Sequence, residues 1–140
     1  MVKAIILIVA VVAVLVFSDY SLKRAVRRRM AGRPKLTDDE FARFFPPDHA
    51  QVAAKVRMLL ARHAPVDLAR ITPSDGLADD LRMCDLDSMA TVEFLLDLED
   101  EFRITIGDED AQEMRTVEDV VRWVAAKTTD RKDATQPLWP

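Results

Sequence analysis

The chain has 140 residues, enough for one domain with flanking segments, and its hydrophobic share of 49% is ordinary for a folded protein. Its net charge of −4 hides an asymmetry, because residues 1–36 hold eight Lys/Arg against one acid while the remainder holds 12 against 23. An acidic domain is a poor nucleic-acid binder and a good match for basic protein surfaces, and a single cysteine, Cys84, excludes an internal disulfide framework and fits a reducing compartment.

The run Ala4–Phe17 is apolar without interruption. With Met1, Val2 and the semi-polar Ser18–Leu22, and with Lys3 snorkelling, it reaches the roughly 20 residues that cross a bilayer. A cleaved export signal is the competing reading. The single lysine ahead of the run and the poor cleavage candidate Phe17-Ser18-Asp19 favour an uncleaved anchor over residues 1–22. Lys23, Arg24, Arg27, Arg28 and Arg29 follow. The positive-inside rule places them, with the chain beyond, on the cytoplasmic side of a bacterial-type inner membrane, against anionic headgroups. The cluster lacks the interleaved aromatics of a nucleic-acid patch.

Residues 23–47 read as a basic juxtamembrane linker with one short helix. Met30–Lys35 is linker by its Gly and Pro. Thr37 and Glu40 have capping-box spacing, which predicts a helix over Asp38–Phe45, stopped by Pro46-Pro47. Phe41, Phe44 and Phe45 give it an apolar side to lay on the domain or on the membrane surface.

The domain is expected over residues 48–127. Asp48 is a candidate N-cap for a helix through His63, with Val52, Val56, Leu59 and Leu60 inward. His49 and His63 have no metal-ligand spacing and read as surface or cap histidines. Ala64–Asp80 is mostly loop, held to the core by Ile71, Leu77 and Leu81. Cys84 reads as a small buried hydrophobe. A helix follows over Asp87–Phe102, with Asp87 or Ser88 as its N-cap. After it, Arg103–Gly107 is an extended link with Ile104 and Ile106 as plugs, and Asp108–Met114 is a short helix. Thr116 caps a last helix to about Lys127, with Val117, Val120, Val121 and Val124 inward and Trp123 at its edge. Residues 128–140 are polar and read as a disordered tail.

The Asp87–Phe102 helix carries two apolar stripes. Thr91, Phe94, Leu95, Leu98 and Phe102 follow the spacing of a core-facing stripe. Met89, Val92 and Leu96 make a second stripe on the opposite side, flanked by Glu93, Asp97 and Asp100. Two readings are open: a face that docks partners, or a face covered by the chain's own helices.

From Asp87 to Val124 the residues resemble the acyl carrier protein family. The family pattern D-S-[LM]-x-x-V-E is matched by Asp87-Ser88-Met89 and Val92-Glu93. Leu98-Glu99-Asp100-Glu101-Phe102, Ile104, Ile106, the acidic Asp108–Met114 and Thr116-Val117 continue it without a gap. Ile71-Thr72 and Asp79-Asp80-Leu81 match the loop ahead of the helix. The likeness covers about residues 48–127. It implies an all-α, four-helix bundle with a short third helix, preceded here by one transmembrane helix. It implies 4′-phosphopantetheine, taken from coenzyme A, on Ser88, and no catalysis by the domain itself. It also implies a partner-facing side made by Asp87, Met89, Val92, Glu93, Leu96, Asp97, Glu99 and Asp100. The sequence departs from the pattern in two places. Arg82–Leu86 lengthens the approach to Asp87 and contains no Gly, and Ala90 stands where the family often has an acid.

The expected function is that of a membrane-anchored acyl carrier protein. It holds acyl intermediates as thioesters and presents them to lipid or secondary-metabolite enzymes. Its partners are a phosphopantetheinyl transferase, acyl-transferring or acyl-modifying enzymes with basic docking patches, and the membrane through residues 2–22, with no nucleic acid and no metal. The alternative is an unmodified acyl-carrier-like module that recruits a basic protein to the membrane. A hydrolase using Ser88 is disfavoured by the absence of a nearby histidine in sequence and of nucleophile-elbow glycines.

Overall fold

The structure, a computed structural model, describes residues 1–64, 66–83 and 89–135, with the side chains of residues 19, 22 and 132–135 left aside. Among the described residues six α-helices occur in order: α1 Val2–Ala31, α2 Asp38–Ala42, α3 Ala50–His63, α4 Met89–Phe102, α5 Asp108–Glu113 and α6 Val117–Thr135. Single 3-10 turns lie at Pro47–His49 and Leu68–Arg70.

The helix α3 is the hub, packing against α2, α4 and α6. Its buried face is Ala53, Val56, Leu59 and Leu60, with Val52 half-buried. Phe94, Leu98 and Phe102 of α4 and Val117, Val120, Val121 and Val124 of α6 complete the core, and Ile71 and Leu81 plug it from the loop as expected. With the short α5 between α4 and α6, the domain has the expected bundle with a brief third helix. Thr116 caps α6 reciprocally: its Oγ1 accepts from Asp119 N–H at 3.2 Å, and Asp119 accepts from Thr116 N–H at 2.9 Å. The loop before Ser88 is stitched to this cap, since Val117 N–H donates to Asp75 O and Leu77 N–H to Arg115 O.

Several expectations are corrected. The capping box of Thr37 and Glu40 is present, but α2 ends at Ala42. Asp48 is no N-cap: the 3-10 turn Pro47–His49 leads into α3, and no side chain caps it. His63 is not a surface histidine; it is mostly buried against α4. The polar tail begins as helix, because α6 runs on to Thr135. There Thr128 and Thr129 hydroxyls donate to carbonyls one turn back, and Arg131 closes the end of α4 through Phe102 O and Arg103 O. Met30–Lys35 is not a free linker, and residues 23–31 are helical. The helix α1 continues through the basic cluster, and its Val26 and Met30 are buried in the core.

An arginine fixes the segment between α1 and α3. Arg57 of α3 is wholly buried and donates to Leu36 O at 2.8 Å, Thr37 O at 3.3 Å and Asp38 Oδ1 at 2.9 Å. Its guanidinium lies 4.6 Å from the Phe41 ring centroid. Phe41 and Phe45 are thus core residues, while Phe44 points out.

Candidate functional site

The first described residue of α4 is Met89, one position after Ser88. Ser88, Asp87 and Cys84 lie outside the described residues. What surrounds them is informative. The first turn of α4 contains no acid. A helix N-terminus offers unpaired N–H groups and the positive end of the dipole, so a phosphodiester attached just ahead of α4 meets favourable electrostatics from the described first turn.

A cavity of about 340 Å³ opens beside this helix start. Thr91, Phe94 and Leu95 of α4 form one wall, Leu77 and Met83 of the preceding loop another, and Met114 closes the α5 side. The lining is mainly apolar, and the volume falls in the range of about 300–1,000 Å³ typical of ligand sites. The surroundings therefore fit the phosphopantetheine group and a hydrocarbon chain on it: an anion-compatible helix start and an apolar recess one turn away. The loop reaches this wall through Arg82, whose φ of 56° is left-handed. A glycine adopts that conformation at no steric cost, and the approach to Ser88 takes it with an arginine.

The second stripe of α4 is exposed. Met89 is 77%, Val92 42% and Leu96 57% exposed, although the other side of the same helix is buried. The chain's own described helices do not cover it. The flanking acids divide. Asp100 is open to solvent with only a weak contact to Arg103, and Glu93 is also largely exposed. Asp97 is held from within: His63 Nε2 lies 2.8 Å and Arg62 Nη1 3.3 Å from its Oδ2. The hydrogen bond to His63 holds the Asp97 carboxyl below its usual range, against the opposing effect of burial. His63 Nδ1 also stands 3.6 Å from Glu93. Glu99 accepts Ile106 N–H at 2.7 Å, so its role is to close the link after α4. Two of the expected docking acids thus have structural work already. Asp97 and Glu99 point off the flank of the stripe toward α3 and the Ile104–Ile106 link, a distinction that helical spacing alone does not reveal.

A family model described as "Phosphopantetheine attachment site" matches residues 54–124. An acyl carrier protein of Exiguobacterium is 39% identical over 77 residues, 55% of this chain and 94% of the relative. An acyl carrier protein of Thermosynechococcus vestitus is 32% identical over 80 residues, 57% and 95% of the two chains. The solved structure of an acyl carrier protein from Enterococcus faecalis matches 56% of this chain and 96% of that one, at 33% identity and a TM-score of 0.48.

Proposed function

This chain belongs to the acyl carrier proteins with a phosphopantetheine attachment site, and from that membership we propose that Ser88 takes the arm; from the length and apolar character of α1, which lies outside the matched segment, we propose that it holds the carrier at a membrane. The domain is a carrier rather than an enzyme, and its prosthetic group is covalent 4′-phosphopantetheine. When attached, that group supplies a thiol on which an acyl chain is held as a thioester. The residues of the chain supply the rest. The N-terminal turn of α4 compensates the phosphate charge, and the recess of Leu77, Met83, Phe94, Leu95 and Met114 excludes water from an acyl chain. Met89, Val92 and Leu96, with Glu93 and Asp100 beside them, meet the apolar and basic patches of a phosphopantetheinyl transferase and of acyl-handling enzymes.

The observation that supports Ser88 most directly is its place in the matched segment, one residue ahead of a helix whose outward stripe is apolar and uncovered. For the membrane, the support is α1, the one helix among the described residues long and apolar enough to span. Its apolar side chains from Val2 to Phe17 face outward on every side, which suits lipid and not water. The basic cluster then sets the carrier domain on the cytoplasmic side, where the arm serves enzymes making or using lipid or secondary metabolites.

The test is the intact mass of the full chain in detergent after incubation with coenzyme A and a broad-specificity transferase. A gain of one phosphopantetheine that Ser88→Ala abolishes is the expected result. A folded protein that gains no mass would instead be an unmodified module recruiting a basic partner. Flotation of the full chain with phosphatidylglycerol-containing vesicles tests the anchor, and failure to float refutes it.

A further inference from the structure

Beyond the apolar run, α1 enters the domain as a structural member. Val26 and Met30 lie four residues apart on one helix face and are 5% and 2% exposed. Met30 and Ala31 wall a cleft shared with Ala61, Ala64, Val66 and Arg70. One side chain gathers carbonyls at and just beyond the C-terminal end of α1. Arg70 Nη1 reaches Ala31 O at 2.7 Å, Arg33 O at 2.5 Å and Met30 O at 3.2 Å. Arg33 pairs in turn with Asp75, which is buried and also accepts Thr72 N–H at 2.8 Å. Arg29 and Arg33 both approach Asp80, whose other oxygen accepts Gly76 N–H. Leu36 N–H donates to Ala69 O at 2.7 Å, so the chain after the helix is pinned as well.

These contacts close on the 70–81 loop, the segment that leads toward Ser88. A Gly- and Pro-containing stretch that would otherwise be a tether is held at both ends and along its length. We propose that α1 is a fixed stalk that holds the carrier domain in one orientation over the bilayer and offers its arm to enzymes seated at that same membrane. Val26, the first of these core residues, lies nine residues beyond Phe17, so the helical rise sets the domain about 14 Å from the end of the apolar run. The bilayer part of this inference rests on the anchor reading above; the rigidity does not.

The experiment separates the two. Spin labels are placed at Ser21→Cys on α1 and Glu109→Cys on α5 of the full chain. The background is Cys84→Ser with Ser88→Ala, so that neither the native thiol nor the arm takes label. Distances between labels are read by pulsed electron resonance in detergent micelles. A fixed stalk gives one narrow distribution. Arg33→Gln and Arg70→Gln, each introduced alone with helicity checked by circular dichroism, loosen the hold on α1 and free the four residues 32–35 that follow it. That broadens the distribution by on the order of 10 Å, the spread of a flexible linker of that length. A broad distribution before substitution overturns the stalk. A narrow one that neither variant widens overturns the arginine clamp as its cause. Narrow distances in a protein that does not float with vesicles overturn the anchor, and with it the position over a bilayer, while leaving the clamp intact.

Discussion

Leu96→Ala is the sharpest test of the docking stripe. Full burial of a leucine is favourable by about 1.5–3 kcal/mol, and Leu96 withholds 57% of its surface from the fold. A partner that covers the rest therefore gains about 1–1.5 kcal/mol from this side chain, a factor of roughly 5 to 15 in affinity. Val92, at 42% exposure, contributes less. The fold has little stake in either: truncating an exposed side chain changes stability within about 0.5 kcal/mol. Phe94, two residues before Leu96, is the internal contrast. It is buried, and its truncation removes roughly 3–5 kcal/mol of stability. The assay is kcat/KM of a phosphopantetheinyl transferase with coenzyme A and the full chain, beside urea unfolding of each variant. Leu96→Ala should lower kcat/KM by the stated factor with an unchanged unfolding midpoint. Glu93→Lys and Asp100→Lys should lower it further and weaken its dependence on salt, because attraction between exposed charges is screened. A Leu96→Ala protein loaded as fast as the parent would refute the docking reasoning, whatever Phe94→Ala does.

Three other outcomes follow from the same contacts. Arg57→Met keeps the buried stem and removes the donors to Leu36 O and Thr37 O; because Asp38 is largely exposed, that partner is not stranded, so the cost is roughly 2–4 kcal/mol, concentrated in α2 and visible as faster amide exchange there. Asp97, its carboxyl held low mainly by the His63 hydrogen bond, contributes stability that is present above its unfolded value and lost as pH falls through the lower folded one. Asp97→Asn should therefore flatten the acid limb of the urea midpoint below about pH 4, and an unchanged limb would remove this pair from the acid response. A chain beginning at Leu36 loses Val26 and Met30 from the core and leaves Asp75 without Arg33, a deficit of roughly 3–6 kcal/mol for the two apolar side chains alone. Circular dichroism melts of the short and full chains in one detergent should differ accordingly, and equal melts would mean that α1 does not stabilise the domain.

What was legible in the sequence, and what was not, divides along a physical line. Elements whose side chains speak for themselves locally were readable. The Phe94, Leu98 and Phe102 stripe, the α6 valines, and the Thr37 and Thr116 caps each depend on neighbours within four residues, and the structure has them in the expected roles. The exposed Met89, Val92 and Leu96 stripe was readable as an oddity, because one helix needs only one buried face. The features that escaped depend on long-range pairing. Nothing near Arg57 announces that it will be buried under Phe41, 16 residues earlier, or that Arg70 will cap a helix ending 39 residues before it. The same holds for Asp97. Its spacing puts it at the rim of a docking stripe, but His63, 34 positions upstream, claims it. Ser88, the proposed attachment residue, lies outside the described residues, and its assignment rests on the Asp87-Ser88-Met89 motif and on its place within the matched segment.

The long-range contacts also change what the N-terminal quarter of the chain is. By composition, residues 1–36 are an anchor, a basic cluster and a linker in series, three parts that could be exchanged without touching the domain. By packing they are continuous with it: α1 contributes Val26 and Met30 to the core, and Arg29 and Arg33 hold the loop that leads to the attachment segment. A membrane carrier built on a free tether would let its domain explore a hemisphere of partners and would tolerate any linker of adequate length. On the anchoring proposed above, a carrier whose α1 is part of its core restricts which face meets the bilayer and which meets enzymes. Its arm then samples fewer positions, at a higher effective concentration for partners fixed in the same membrane.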